Sequence, residues 1–242
     1  MSDSRPDLAT TMGMVADVEG WMSSGQGATL YDSAVNCPSD GRIVEIGSFR
    51  GRSTVVLATA ADPSVEIVAI DPHAGNDRGP QEIDGFEAEA ADDHSVFKAN
   101  LAAAGVTDRV RHVREFSDDA LALVQGPIDV LYIDGAHRYA PALADIRAWS
   151  ERIGEGGTLL IHDSFSSIGV TLAILRSLAF GRTFRYVGRS RSMTIYRADL
   201  GSGPLPRAKN AGRQLAQLPW FAKNVGLKVL ITLKLSKADW PY

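Results

Sequence analysis

The sequence predicts an α/β fold built on a mostly parallel, doubly wound sheet of seven strands with helices on both faces. Apolar runs of strand length alternate with helical patterns between residues 42 and 197. The first five runs are almost continuously apolar, as expected for parallel strands that are buried on both faces. The last two runs are joined by a tight connection, which predicts an antiparallel pair at one edge.

The predicted elements follow one another in repeated strand-helix-strand units, the pattern of a Rossmann-like sheet. The strands are predicted at residues 42–47, 65–71, 110–113, 128–134, 157–163, 184–188 and 192–197. Helices are predicted at 53–61, 96–104, 117–124 and 140–153, of which the third opens with a Ser-Asp-Asp start that suits a helix N-terminus.

Length and composition indicate one large domain with two extensions. The chain has 242 residues and is 45% hydrophobic, which is enough for a single α/β core. We expect an N-terminal helical cap over 1–40, the main domain over 41–200 and a basic extension over 201–242. The single cysteine, Cys37, excludes an intrachain disulfide. The first residues lack the apolar segment of a signal peptide, so the cytoplasm is the expected location.

Charge is unevenly distributed along the chain. Residues 1–200 hold 18 Lys and Arg against 28 Asp and Glu, whereas residues 201–242 hold seven basic residues and one acid. The acidic body argues against nucleic-acid binding. The basic, partly apolar tail could lie on a membrane surface or pack on protein. We expect the second, with the tail helping to form a homodimer.

Acidic residues lie at or near the ends of four of the five major strands. In open parallel sheets, ligands bind beyond the carboxyl ends of the strands. The acids are Glu45, Asp71, Asp134 and Asp163. Isolated turns explain one or two acids at such positions, but four of them predict a ligand site.

The turn after the first strand, VEIGSFRGRST, predicts a pocket for a nucleotide-like ligand. Gly47 and Gly51 allow a sharp turn and a close approach to a ligand. Their spacing differs from the dinucleotide-binding pattern, and Glu45 would repel a pyrophosphate. A carboxylate there suits an ammonium or sulfonium group, and Asp71 is suited to bind the hydroxyls of a ribose.

Four motifs together resemble the class I S-adenosylmethionine-dependent methyltransferases: VEIGSFRGRST, VAIDPH, LYIDGAHRY and GGTLLIHDS. The resemblance covers roughly residues 40 to 198. It is greatest for the metal-dependent sugar O-methyltransferases, including those of polysaccharide biosynthesis such as the methylmannose polysaccharide 1-O-methyltransferase. It implies transfer of a methyl group from S-adenosylmethionine to a hydroxyl of a sugar or oligosaccharide.

The resemblance implies a set of cofactor-binding residues along the first two strand ends and the turn before the 117–124 helix. Ser48 departs from the family, because many methyltransferases have a second glycine there. The implied set is Glu45, Ile46, Gly47, Ser48, Gly51, Ser53, Asp71, Pro72, Phe116 and Ser117.

A divalent metal and a general base are predicted beside the cofactor. Asp134 and Asp163 end neighbouring strands in the usual methyltransferase order, so both can reach one ion, with Mg²⁺ expected first and Mn²⁺ as the alternative. His162 replaces the first acid of the usual pair and is either a third ligand or a hydrogen-bond donor to one. In the resembling enzymes a histidine placed like His137 is the proposed base, which would take the proton of the acceptor hydroxyl.

Some segments leave alternatives open. Residues 74–95 are predicted to be a lid over the acceptor or an unstructured acidic insertion, and His73, Arg78 and His94 could contact the acceptor. Core packing is expected for Trp21 and Tyr31. A non-haem-iron or hydroxylase-like protein, or a non-catalytic partner subunit, would be compatible with the same fold.

Overall fold

The computed structural model describes residues 5–75 and 87–235, and its centre is one sheet of seven strands. The strand order is β3-β2-β1-β4-β5-β7-β6. The strands are β1 (Arg42–Ile46), β2 (Glu66–Ile70), β3 (Val110–Val113), β4 (Ile128–Ile133), β5 (Ile153–Ile161), β6 (Arg185–Ser190) and β7 (Met193–Arg197).

The first five strands are parallel, and β7 runs antiparallel to both β5 and β6. The predicted Rossmann-like sheet with an antiparallel pair at its edge is therefore confirmed. Several boundaries were predicted wrongly. The helix expected to end at 153 ends at 150, and β5 begins at Ile153. The helix expected over 96–104 begins at Glu87, and the helix expected over 117–124 ends at Ala120. The glycines at 154, 156 and 157 resemble a turn in sequence, but they lie within this strand.

Nine α-helices are assigned within the described ranges. Helix α7 was not predicted, because its continuous apolar run does not separate helix from strand by periodicity. The helices are α1 (Leu8–Met14), α2 (Ser24–Val35), α3 (Arg52–Ala60), α4 (Glu87–Ala103), α5 (Ser117–Ala120), α6 (Tyr139–Ser150), α7 (Ile168–Ser177), α8 (Pro204–Leu215) and α9 (Leu218–Thr232).

The sheet is covered by a hydrophobic core on each face. Successive strand residues point to opposite faces, so Ile43 belongs to one core and Val44 to the other. The core that contains Ile43 includes Leu30 of α2 and Phe97 of α4, and the core that contains Val44 includes Trp149 of α6. Both faces of the strands are therefore apolar, which explains their unbroken hydrophobic runs.

The N-terminal helices pack beside α3, but the role expected for Trp21 was wrong. Helix α2 begins with a capping box between Ser23 and Gln26. Trp21 is 54% exposed, and its ring stacks on Phe49 with 5.5 Å between centroids. Because Phe49 lies in the turn after β1, Trp21 contacts the rim of the predicted pocket instead of the core. Tyr31 is half-buried, and its hydroxyl donates to the carbonyl of Pro6.

Residues 87–95 are helical, so the alternative of an unstructured insertion over 74–95 is wrong for this part of the stretch. Helix α4 begins at Glu87, and its buried Asp93 accepts a hydrogen bond from Arg50 at 2.8 Å. This contact ties α4 to the turn after β1. Arg78 and the rest of the expected lid, residues 76–86, lie outside the described residues.

The basic extension packs on its own chain through buried amide side chains. Asn210 of α8 bonds the backbone of Phe184 and Tyr186. Asn224 of α9 donates to the carbonyl of Phe165 at 3.0 Å. No helix within the described ranges is both long enough and apolar enough to cross a membrane.

Candidate active site

The four central strands end side by side. Backbone hydrogen bonds continue one residue past them: Gly47 donates to Ile70, Asp134 to Ile46 and His162 to Ile133, at 2.8–2.9 Å. Glu45, Tyr132 and Leu160 share one face by register, so the residues two positions later face the same side. The predicted residues Gly47, Asp134 and His162 are therefore neighbours at the carboxyl edge.

The turn after β1 needs glycine at position 47. Gly47 has φ 86°, and a Cβ there would lie 2.2 Å from the carbonyl oxygen of Asp134. Gly51 also has a left-handed backbone (φ 84°), and its amide donates to the carbonyl of Ser48 at 2.7 Å. This tight turn leads into α3 and packs the backbone of Gly47 against the end of β4.

Glu45 lies beneath this turn and is fully buried. Its two carboxylate oxygens accept hydrogen bonds from the hydroxyls of Ser53 and Thr54 in the first turn of α3. Burial raises the pKa of Glu45 to about 7, although the two hydroxyl donors act in the opposite direction. In this arrangement Glu45 and Ser53 fix the start of α3, and their direct contact with a cofactor stays a prediction.

Asp71 is held by two backbone amides. One carboxylate oxygen accepts from the Phe49 amide and the other from the His73 amide, both at 2.8 Å. Each oxygen keeps a further lone pair for a ligand hydroxyl. Phe49 and His73 both have positive φ, 44° and 46°, which aims their amides at the carboxylate.

Two further predicted residues, Ile46 and Ser48, lie on either side of Gly47. Ile46 is 4% exposed and forms part of the strand ladder. Ser48 is 2% exposed, and its hydroxyl oxygen makes no hydrogen bond within the part of the chain that the structure describes. A buried hydroxyl without a partner among the described residues, beside a tight glycine turn, fits a polar ligand such as S-adenosylmethionine.

Pro72, Phe116 and Ser117 lie around the exit of β2 and the start of α5. The Pro72 carbonyl accepts from Arg114, and Phe116 is 46% exposed just before α5. The Ser117 hydroxyl donates to the buried carboxylate of Asp145 on α6. An exposed aromatic ring at this position is available to a flat ligand group, whereas the Ser117 hydroxyl is already engaged.

The ends of β4 and β5 bring together two carboxylates and two imidazoles. His162 Nδ1 lies 3.0 Å from Asp134 Oδ1 and 3.7 Å from Asp163 Oδ2. His137 Nε2 lies 2.9 Å from Asp163 Oδ2. Strand alternation would point Asp163 away from its neighbours, but its left-handed backbone (φ 52°) turns the chain at this point. His162 faces Asp134 because these residues follow the paired Leu160 and Tyr132 by two positions.

The pKa values in this cluster favour paired charges. Burial alone would lower the pKa of His162, but the charges and hydrogen bonds of Asp134 and Asp163 outweigh it and raise the pKa to about 10. Burial would raise the pKa of Asp163, but the hydrogen bonds and charges of His137 and His162 hold it well below its usual range. A buried imidazolium thus lies between two carboxylates.

This arrangement bears on the predicted metal site. The imidazole of His162 lies where the sequence predicts an ion between Asp134 and Asp163. Within the described ranges, no group of three His, Cys, Asp or Glu side chains could hold a metal ion. As arranged, these residues do not fit a divalent ion, so the ligand set Asp134, His162 and Asp163 stays a prediction from the sequence.

The acceptor contacts expected of His73 and His94 are not supported by their surroundings. His73 is 6% exposed, and its Nε2 lies 2.8 Å from the Phe49 carbonyl. Its ring packs against His94 and His112, with centroids 5.1 and 5.3 Å away. These imidazoles support the turn that carries Asp71.

Several contributing residues were missed by sequence reasoning. Phe49 donates its amide to Asp71 through a backbone with positive φ, which is not expected for a bulky residue. The Tyr132 hydroxyl donates to Asp134 at 2.8 Å, and only the two-residue strand spacing hints at this contact. Asp145 lies on a helix far along the chain, and nothing in the sequence links it to Ser117.

Comparison with known proteins identifies the class. A family model described as a methyltransferase domain matches residues 44–164, half of the chain. The chain therefore belongs to the methyltransferase-domain family, in agreement with the strand order and the glycine turn.

Particular relatives are more distant. The chain is similar to the catechol O-methyltransferase of Mycobacterium tuberculosis (strain ATCC 25618 / H37Rv), with 29% identity over 133 residues. The match covers 54% of this chain and about half (51%) of that relative.

Solved structures support the fold. The O-methyltransferase TomG from Streptomyces achromogenes, involved in tomaymycin synthesis and solved with SAM, has a TM-score of 0.54 at 17% identity, covering 82% of this chain and 93% of that one. An O-methyltransferase from Bacillus cereus in complex with SAH has a TM-score of 0.52 at 16% identity, covering 82% and 93%. At these identities the likeness is one of fold.

Proposed function

We propose that this protein is an S-adenosylmethionine-dependent O-methyltransferase that acts on a hydroxyl of a small-molecule acceptor. The observation that carries the proposal is the pair of His137 and Asp163 at 2.9 Å. This pair lies at the carboxyl ends of β4 and β5, where the Asp134 backbone packs against Gly47 in the turn after β1. An imidazole oriented by a carboxylate is suited to take a proton from a hydroxyl.

The residues proposed to bind the cofactor are those whose hydrogen-bonding groups are not fully used by contacts within the protein. When bound, S-adenosylmethionine supplies a methyl group on a positively charged sulfur. Asp71 accepts hydrogen bonds from the ribose hydroxyls through the lone pairs that the amides of Phe49 and His73 do not occupy. Ser48 donates the hydroxyl that has no partner among the described residues, and Gly47, without a side chain, lets the turn pack directly against the Asp134 backbone.

The proton is proposed to move to His137. Its side chain is 41% exposed, so an acceptor can reach it, whereas that of Asp163 is 12% exposed. Asp163 accepts from His137 and stabilises the imidazolium that forms when the acceptor loses its proton. His162, paired with Asp134, keeps a positive charge close to Asp163 and holds that carboxylate in its ionised form.

The acceptor class rests on resemblance. The motif set resembles sugar O-methyltransferases, which supports a sugar or oligosaccharide hydroxyl. The name of the Mycobacterium tuberculosis relative supports a catechol as the second candidate. A divalent ion at Asp134 and Asp163, a homodimer and a cytoplasmic location are retained as predictions from the sequence.

The test compares His137 variants in methyl transfer. With radiolabelled S-adenosylmethionine and a panel of sugars, oligosaccharides and catechols, we expect His137→Ala to lower turnover by about 10²–10⁴-fold. Affinity for S-adenosylhomocysteine should stay within about twofold of wild type, because His137 is not proposed to bind the cofactor. His137→Gln, which keeps a polar side chain but no base, should match His137→Ala.

These variants test His137, and binding and transfer measurements on the wild type separate the other functions considered from the sequence. Turnover of either variant within about twofold of wild type would remove His137 as the base. Binding of NAD in place of S-adenosylhomocysteine would favour an oxidoreductase. Cofactor binding without transfer to any acceptor, in wild type, would favour a non-catalytic partner subunit.

A further inference from the structure

Helix α9 has an inner face that is attached to its own chain. Asn224 is 3% exposed and donates to the Phe165 carbonyl, two residues after Asp163. Trp220 and Phe221 pack against the core that contains Phe165. Lys228, one turn after Asn224, is half-buried, and the charge of Asp163 acts on it. The helix is thus fixed beside the candidate active site by one face.

The opposite face of α9 is apolar and exposed to solvent. At 3.6 residues per turn, positions 222, 226, 229, 230 and 233 lie on one side of the helix. Val229 is 50% exposed, Leu230 44% and Leu233 60%, and Leu235 just beyond the helix is 71% exposed. We call Val229, Leu230 and Leu233 the outer stripe. Contiguous exposed leucine and valine side chains mark an interaction surface.

The charged residues of the tail that carries the outer stripe are positive up to Lys237. Lys223 and Lys234, both exposed, flank it, and Lys209 and Arg213 of α8 are exposed as well. No Asp or Glu occurs in the sequence between Asp199 and Asp239. The surface therefore combines apolar side chains with uncompensated positive charge, whereas residues 1–200 carry a negative balance.

We propose that the outer stripe docks this protein on an anionic lipid surface, with α9 lying along the interface. Apolar side chains enter the headgroup boundary while flanking lysines contact anionic headgroups, the arrangement of interfacial helices. Helix α9 has 15 residues, so it can lie on a bilayer but is too short to span one.

A second copy of the chain fits the outer stripe less well. A twofold-symmetric contact places the same patch of both copies together. Lys223 and Lys234 of both copies would then lie in one contact, with no acid between Asp199 and Asp239 to neutralise them. The sequence favours tail-mediated dimerisation because the tail and residues 1–200 have opposite charge. In the structure, however, the inner face of α9 already packs against residues of its own chain.

Vesicle flotation of the full chain tests this inference without any activity measurement. With phosphatidylcholine vesicles that contain roughly one third phosphatidylglycerol, we expect the wild type to float. Flotation should fall sharply on pure phosphatidylcholine and in about 0.5 M salt, where charges are screened. Lys223→Gln with Lys234→Gln should weaken partitioning on the order of 10- to 30-fold.

Leu230→Asp with Leu233→Asp should weaken partitioning by at least about 100-fold, because two leucines that the membrane would bury are lost. Leu123→Asp is the matched control: Leu123 is 48% exposed outside the tail and should float like wild type. An unchanged circular dichroism spectrum and melting temperature would show that the variants fold. A wild type that does not float, or a dimer that the double aspartate variant disperses, would overturn the proposal.

Discussion

The buried carboxyl of Glu45 gives the sharpest stability prediction. Its side chain is wholly buried, and burial raises its pKa from an ordinary 4.5 to about 7 despite the hydrogen bonds from Ser53 and Thr54. The folded protein therefore holds this proton more tightly than the unfolded chain does. At about 1.4 kcal/mol per pKa unit, the difference corresponds to about 3 kcal/mol.

The sign follows from which state loses its proton first. Below pH 4.5 both states are protonated and the contribution of Glu45 to stability is fully present. Between pH 4.5 and 7 the unfolded chain ionises while the folded protein does not, so the free energy of unfolding decreases as pH rises. Above pH 7 both states are ionised and no more is lost.

Glu45→Gln removes this ionisation and keeps a side chain of similar shape that can still bond the two hydroxyls. We expect the variant to gain about 3 kcal/mol relative to wild type between pH 4.5 and 8. Urea unfolding of both proteins across this range, without cofactor, measures the difference. Glu155→Gln, an exposed carboxyl on β5, is the matched control and should follow wild type. Parallel curves for Glu45→Gln and wild type would refute the assignment of a buried, protonated carboxyl.

Two further predictions concern the same end of the sheet. Gly47→Ala should weaken cofactor binding and lower the melting temperature, because its Cβ would meet the Asp134 carbonyl at 2.2 Å and the left-handed backbone would cost about 1–2 kcal/mol of stability. Binding and melting like wild type would contradict the tight turn. Gly212→Ala, with open space at its Cβ, is the control. If the divalent ion predicted from the sequence is needed, EDTA should abolish methyl transfer and Mg²⁺ or Mn²⁺ should restore it in wild type but not in Asp163→Ala. Full activity after exhaustive dialysis against EDTA would contradict the predicted requirement for a divalent ion.

The framework of the fold follows from patterns that are local in sequence. The first five strands are apolar because helices cover both of their faces, so their runs are visible without a structure. Residues at strand ends are equally predictable: parallel pairing brings Gly47, Asp134 and His162 together once the strand order is known. Helix α7 was missed because a uniformly apolar segment has no helical stripe to detect.

The parts that could not be predicted depend on backbone conformation or on distant contacts. Phe49 and His73 hold Asp71 through left-handed residues that are bulky, the type for which such a backbone is least expected. Likewise, the turn at Asp163 brings its carboxylate to His137, although strand alternation would send it elsewhere. The placement of α9 beside Phe165 depends on the amide of Asn224 and on the packing of Trp220 and Phe221, all far along the chain.

Binding of S-adenosylhomocysteine by calorimetry tests the central claim most directly. Wild type should bind, and Asp71→Ala should bind about 10- to 150-fold more weakly, the equivalent of about 1.5–3 kcal/mol for a charge-assisted hydrogen bond. Asp71→Asn, which keeps one acceptor oxygen, should fall between the two, and Asp92→Ala, an exposed acid on α4, should bind like wild type. Wild type that does not bind S-adenosylhomocysteine, or Asp71→Ala that binds it as tightly as wild type, would contradict the proposed cofactor pocket.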